Sequence, residues 1–323
     1  MLRSLIAAAM AALSTVAALA APGYKIEVIP QTARVTPTVA FAINNSGVVV
    51  GQGETSDGQV ISFKYSKGKV SRLAGDLNVW IRDINRAGDI LGQVSDYNVI
   101  WHADGSREEL SVGGLVALNR HLEAAGSAMS AGGDLTHATF YKNGTLTDLG
   151  SWGGNHRASL GRGINDLGQV VGVTYLENNS GSVAVIWENG TSRRVVGLAD
   201  EQSSEGISIN AKGHIVGYAT TLTRGDGFIN DGTPRRLPRV MSYPFMPKAL
   251  NVRDEVVGTV AAEAGLSMKG KSYKLMSLLD ASSAGWTVLD VAWDVNDSGQ
   301  IVGTGIYHGA RRAFVATPVT QAE

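Results

Sequence analysis

The chain has no cysteine among its 323 residues. Thiolate nucleophiles, cysteine-based zinc sites and disulfide staples are therefore excluded, and stability has to come from packing and hydrogen bonding. Charge is also sparse, at 18% of residues, and it balances to a formal −1 with no basic run. The electrostatic footprint of a nucleic-acid binder is missing, so no nucleic-acid partner is expected. Only 8 prolines stand against 40 glycines, which points to many tight turns. P-loop and G-x-S-x-G signatures are missing too, and the histidines (His102, His121, His137, His156, His214 and His308) show no metal-ligand spacing. No metal and no cofactor are expected.

Beyond the amino terminus there is no apolar run long enough to cross a bilayer and no helical period. The first residues, MLRSLIAAAMAALSTVAALAAPG, place Arg3 before an apolar run and then Ala18 to Ala20. That order is the pattern of a secretory signal peptide over residues 1–20, cleaved after Ala20. The mature chain, 21–323, is then expected outside the cytoplasm, secreted or periplasmic, as a monomer of one domain with no membrane span. With 44% apolar residues it has ample material for a core.

What is there in abundance is a repeat. INNSGVVVG from Ile43 recurs as INRAGDILG from Ile84, LNRHLEAAG from Leu118, INDLGQVVG from Ile164, INAKGHIVG from Ile209, LNVRDEVVG from Leu250 and VNDSGQIVG from Val295. The motif Asn falls at 44, 85, 119, 165, 210, 251 and 296, and a Gly follows seven residues after each. A period near 40 residues marks a supersecondary unit that must stack on its neighbours to bury its faces.

Within the motif, N-x-x-G sets Asn and Gly at the first and fourth positions of a type I turn, between two apolar extended runs. A second turn signal follows in most units, as at Asn189-Gly190, so each unit reads as two hairpins, four antiparallel strands A to D. Radial repetition of such sheets is a β-propeller, which hides sheet edges. The fold expected is all-β: a seven-bladed propeller of four-stranded antiparallel blades. The last unit stops after strand C, while YKIEVIP (residues 24–30) is an extra extended segment at the other end. Pairing the two would close the ring with the N-terminal strand; a linear solenoid is the alternative. Units three and six depart from the pattern, with Leu122 and Asp254 replacing the turn Gly, and irregular blades are expected there.

The string HATFYKNGTLTDLGSWGGNHRASLGRGINDLGQVVG, His137 to Gly172, and the ending GWTVLDVAWDVNDSGQIVGTGIYHGARRAFVATPV resemble the HAF-repeat proteins, an extracellular bacterial family. Of the motif histidines only His137 is retained. The resemblance implies export and a repetitive all-β body, and brings no catalytic residues with it.

Function is sought on loops held by a rigid scaffold. In this strand order the B–C and D–A connections share one face, and the longer ones lie there, such as SWGGNHR and MSYPFMPK. Trp152, His156 and Arg157 place an aromatic ring beside polar groups, which suits a sugar or planar ligand; alternatively Trp152 plugs a gap between blades. Three residues before each motif Asn, at the channel mouth, stand Phe41, Arg82, Val116, Arg162, Ile207, Lys248 and Trp293. Arg82, Arg162 and Lys248 could funnel an anionic ligand, or be solvated or paired with neighbours such as Asp83 and Asp294. The function expected is a binding or scaffold propeller engaging an extracellular glycan, peptide or protein through its loop-rich face. The alternative is a lyase or hydrolase acting on extracellular polysaccharide at the channel mouth, with His156 as acid or base.

Overall fold

A computed structural model describes residues 23–73, 79–130, 132–154, 157–177, 180–195 and 197–319. The signal-peptide assignment to residues 1–20 and its cleavage site lie outside the described residues. Seven four-stranded antiparallel sheets form, each in the spatial order A-B-C-D. Their strands A run Thr36–Ile43, Trp80–Ile84, Leu115–Leu118, Ser159–Ile164, Ser203–Ile209, Phe245–Leu250 and Trp286–Val295. Each strand A contacts the next around the circle, and that of blade 7 contacts that of blade 1, so the protein is a closed seven-bladed β-propeller.

The ring shuts as the strand count requires. Gly23–Val28 is the outer strand of blade 7, antiparallel to Ala310–Val319, with Gly23 opposite Val319 and Val28 opposite Phe314. A linear array is thereby excluded. Units three and six are regular four-stranded blades, contrary to expectation. At the fourth turn position Gly47, Gly88, Gly168, Gly213 and Gly299 have φ of 72° to 101°, and Leu122 (59°) and Asp254 (61°) adopt the same left-handed backbone without being glycine. Stacking on two neighbours outweighs the local cost of that conformation, of the order of 1–2 kcal/mol.

Apolar side chains collect in seven clusters, and every cluster is an interface between consecutive blades. This explains the doubled aliphatics of the motif. Successive residues on a strand point to opposite faces; Val170 packs toward blade 3 and Val171 toward blade 5.

The motif Asn has two tasks. Its Oδ1 accepts from the backbone N–H groups of its own turn, as Asn165 does from Leu167 and Gln169, both at 3.1 Å. Its Nδ2 donates to the backbone carbonyl of the next motif Asn: Asn44 to Asn85 (3.2 Å), Asn85 to Asn119 (3.1 Å), Asn119 to Asn165 (3.1 Å), Asn165 to Asn210 (3.1 Å), Asn210 to Asn251 (2.9 Å), Asn251 to Asn296 (2.9 Å) and Asn296 back to Asn44 (3.1 Å). The result is an unbroken circle of seven hydrogen bonds. The seven side chains are only 3–5% exposed, so an unmade bond here could not be replaced by water.

The Gly seven residues after each Asn is explained by a bulge. Every strand A carries an irregularity at the same place, for example between Gly161 and Gly163, with the motif Gly of strand B opposite it; the strands A of blades 1 and 7 carry further ones toward the mouth face. A Cβ on Gly172 would lie 1.9 Å from the Leu160 carbonyl oxygen, and one on Gly51 2.0 Å from that of Val39. No side chain fits there without moving backbone.

Gly172→Ala should therefore destabilise the protein by about 3 kcal/mol, at the upper end of overpacking costs, read as a lowered urea midpoint. Asn165→Asp puts an acceptor oxygen against the Asn210 carbonyl and should cost about 3 kcal/mol as well, whereas Asn189→Asp in an exposed C–D turn should change the midpoint little.

Candidate functional site

The axis between the seven strands A is hollow toward both ends. At one end lies the Asn circle, with Arg86, Arg120, Asp166 and Asp297 around a cavity of about 180 Å³. These charges are engaged with one another: Arg86 meets Asp297 at 3.1 Å and Arg120 lies 3.7 Å from Asp166. Two inter-blade grooves, of about 640 and 750 Å³, lie off the axis between blades 3 and 4 and between blades 6 and 7.

The other end opens on the face of the B–C and D–A connections, in a second cavity of about 180 Å³. All seven residues at the third position before the motif Asn line it: Phe41, Arg82, Val116, Arg162, Ile207, Lys248 and Trp293. The bulge is what puts them there. Each is the extra, unpaired residue of its strand A, so it and the following residue both reach the channel instead of alternating faces. Sequence spacing located the ring of side chains; the bulge that aims it is visible only in the register.

Arg82, Arg162 and Lys248 are thus brought to one mouth, in three different electrostatic situations. Arg162 Nε is paired with Glu205 Oε1 at 2.6 Å. Arg82 Nη2 donates to the neutral amide oxygen of Gln93 at 2.7 Å, and burial pushes its pKa below the usual arginine value. Lys248 Nζ sits 5.0 Å from the centroid of the Trp293 ring, a cation–π contact, and Trp293 in turn meets Phe41 edge-on at 5.6 Å. Lys248, Trp293, Phe41 and Arg82 belong to blades 6, 7, 1 and 2, and so form one continuous arc.

Below this ring the next layer is Ala42, Asp83, Ala117, Gly163, Ser208, Ala249 and Asp294. Its two carboxyls join blades. Asp83 accepts from Ile84 N at 2.7 Å and from Leu118 N of blade 3 at 2.8 Å. Asp294 accepts from Val295 N and from Ile43 N of blade 1, both at 2.8 Å. Each is half-buried and lines the cavity. Burial, partly offset by the backbone N–H groups, raises Asp83 to about 6 and Asp294 to about 7, with Asp83 adding to the rise at Asp294. The sequence shows these two aspartates, but not that they share an enclosed lumen.

Trp152 and Arg157 do not line the mouth. Trp152 is partly buried against the blade 3–4 interface, packed with the cluster of Ala138, Val170 and Val185, which is the gap-filling role. Arg157 Nη2 is tied to Glu177 Oε1 at 2.9 Å. His156 lies outside the described residues. His137, the residue carrying the family resemblance, is buried with Nδ1 2.9 Å from Asp148 Oδ2, linking strands C and D of blade 3. Among the described residues no group of three or more His, Asp or Glu side chains is placed to hold a metal, and no helix is long and apolar enough to cross a membrane.

Sequence reasoning also missed the apolar rim. Nine large apolar side chains are strongly exposed among the described residues: Val60, Trp80, Met129, Leu167, Tyr175, Leu222, Met241, Tyr243 and Val319. By strand direction seven of them sit on the face of the channel mouth; only Leu167 and Val319 are on the other.

No protein-family model and no curated protein matches the chain. Among solved structures it is similar to the β-propeller domain of the Trilobed protease from Pyrococcus furiosus (TM-score 0.59, 10% identity, covering 90% of this chain and 99% of that one). It is also similar to an acylaminoacyl peptidase (TM-score 0.55, 9% identity, 87% and 52%) and to the extracellular domain of the hybrid two-component system BT4673 from B. thetaiotaomicron (TM-score 0.58, 11% identity, 92% and 40%). The chain spans about half or less of the latter two. At these identities the likeness is one of fold, and it is to propellers.

The throat carboxyls make stability depend on pH. Their folded-state pKa values are above those of the unfolded chain, so the folded protein binds more protons between about pH 4 and 7. Their contribution is therefore most favourable at the acid end of that window and declines as pH rises to about 7. Asp294→Asn should lose part of that decline: the gap in urea midpoint between pH 5 and pH 8 should be smaller than in the wild type. An unchanged gap would show that Asp294 ionises normally in the fold.

Proposed function

We propose that this protein is a secreted or periplasmic binding propeller of the HAF-repeat family, using the face of its B–C and D–A loops to engage an extracellular glycan, peptide or protein. The observation that carries this reading is the segregation of exposed apolar side chains: Trp80, Met129, Tyr175, Leu222, Met241 and Tyr243 lie on the face of the B–C and D–A connections, while the opposite face carries two-residue C–D turns such as Asn143-Gly144 and Asn189-Gly190. Clustered exposure of this kind marks an interaction surface, and Tyr, Trp and Met are residue types enriched at the centres of interfaces. Loop conformation adds support. Met241, 86% exposed, is held with φ +56° in a turn closed by reciprocal backbone bonds between Val240 and Tyr243. Arg239 braces that loop by donating to Asp226, Ser242 O and Gly225 O. A rigid apolar tip loses little entropy on docking.

Polysaccharide cleavage is less well supported. The two carboxyls in the channel are each committed to two backbone N–H groups that join blades, an arrangement suited to structure more than to moving a proton onto a substrate. The leader residues and their Arg3-to-Ala20 pattern support export.

Thermal-shift screening of the mature chain against defined glycans and peptides tests the binding reading. A specific ligand at about a hundred times its Kd adds about 2.7 kcal/mol to the folded state, an increase of several degrees in Tm. The gain should vanish in Leu222→Asp/Met241→Asp and survive in Leu167→Asp on the opposite face. A ligand whose shift depends on Leu167 instead would place the binding surface on the wrong side of the disc.

A further inference from the structure

The channel mouth is built asymmetrically, and the asymmetry points to a ligand class. On the arc from blade 6 to blade 2, two cations flank two aromatic rings, and neither cation has a carboxylate partner among the described residues: Lys248 has only the Trp293 ring, and Arg82 only the Gln93 amide. The third cation, Arg162, lies across the mouth and is neutralised by Glu205. Trp293 Nε1 is buried with no hydrogen-bond partner. On this arc the B–C connections of blades 2, 6 and 7 are two residues long and that of blade 1 is five. The cavity, about 180 Å³, is below the ~300 Å³ of a drug-sized pocket and suits a single ring.

We propose that this arc is a subsite for one uronate residue of an acidic glycan, its carboxylate reached by Arg82 and Lys248 from the two ends of the arc and its ring face laid against Trp293. The proposal rests on the glycan branch of the binding function above. The physical case is complementarity: an unneutralised guanidinium and ammonium are half-satisfied without an anion, and a ring face with axial C–H groups matches an aromatic surface that the cations alone do not need. A peptide carboxylate would supply the charge but leave the Trp293 ring without a role.

Asp83 and Asp294 form that floor, and a carboxylate arriving above them favours their neutral acid forms. The other groups around them are few. Blade 1 contributes Phe41 and Ala42, blade 3 Val116 and Ala117, blade 5 Ile207 and Ser208, all uncharged; Arg82, Lys248, the Arg162–Glu205 pair and Asp290, three residues before Trp293 on the same strand, are charges toward the mouth, and Asp297 lies toward the Asn circle. Uronate binding should thus take up protons near pH 7 and weaken as pH rises from 6 to 8. A cationic ligand would do the reverse.

The test is calorimetric titration of the mature chain with trigalacturonate, its methyl ester and a hexaglutamate peptide, in two pH 7 buffers of different ionisation enthalpy. Trigalacturonate should bind with net proton uptake and at least tenfold more tightly than the ester. Arg82→Gln and Lys248→Gln should each weaken it tenfold or more, and Arg235→Gln, on the opposite face, should not. Equal binding of the ester, proton release, or indifference to both mouth substitutions would overturn the subsite. Binding of hexaglutamate through Arg82 and Lys248 without trigalacturonate would overturn the sugar assignment in favour of peptide. Thermal-shift hits that require Leu222 and Met241 but not Arg82 or Lys248 would leave the binding face standing and remove the subsite alone.

Discussion

Seven amides passed hand to hand around an axis are the constraint on which the rest of this molecule depends. Each motif Asn fixes its own turn with Oδ1 and reaches the next blade with Nδ2, so local geometry and ring closure are set by one side chain. Because each Nδ2 is buried, its bond to the next backbone carbonyl is obligatory. Only Asn offers an acceptor and two donors on so short a stem. Gln would overreach and Asp would lack the donor. The repetition of nine residues is thus the repetition of a joint, and the variable residues between joints are free to differ because the apolar interfaces on either side tolerate any aliphatic set of the right volume.

The joint explains how a single architecture can hold two chemically different ends. At the Asn end the seven amides are spent on structure and Arg86 on Asp297. At the other, the bulge in each strand A turns one extra side chain inward, and nothing in the scaffold dictates what it should be. Phe41, Arg82, Val116, Arg162, Ile207, Lys248 and Trp293 share a place but no chemistry. The scaffold fixes where these groups point; selection on function is left to choose them.

Much of this was legible in the residues. The period, the two turn signals per unit and the missing outer strand of the last unit together specify seven closed blades, because each rests on local backbone chemistry that survives in the fold. The same reasoning failed for units three and six, where Leu122 and Asp254 lack the turn Gly yet take its backbone conformation. There the packing of neighbouring blades decides, and no single unit contains that information. The candidate site was legible in part. Spacing gathered Arg82, Arg162 and Lys248, but pairing with Glu205, Gln93 and Trp293 depends on distances between strands. Trp152 and Arg157, five positions apart in sequence and attractive for that closeness, serve an interface and an ion pair away from the axis. The apolar rim went unseen because exposure of a Met or Leu is a property of the loop's path.

The seam in blade 7 has a mechanical side. Gly23 stands opposite Val319 in an antiparallel pair, so the first and last described residues meet at one end of the same ladder. Tension applied between them would load the ladder one rung at a time, as a zip is opened, instead of straining all its rungs together in shear. A disc whose interior joints are circular and mutually braced therefore has one designated place to come apart.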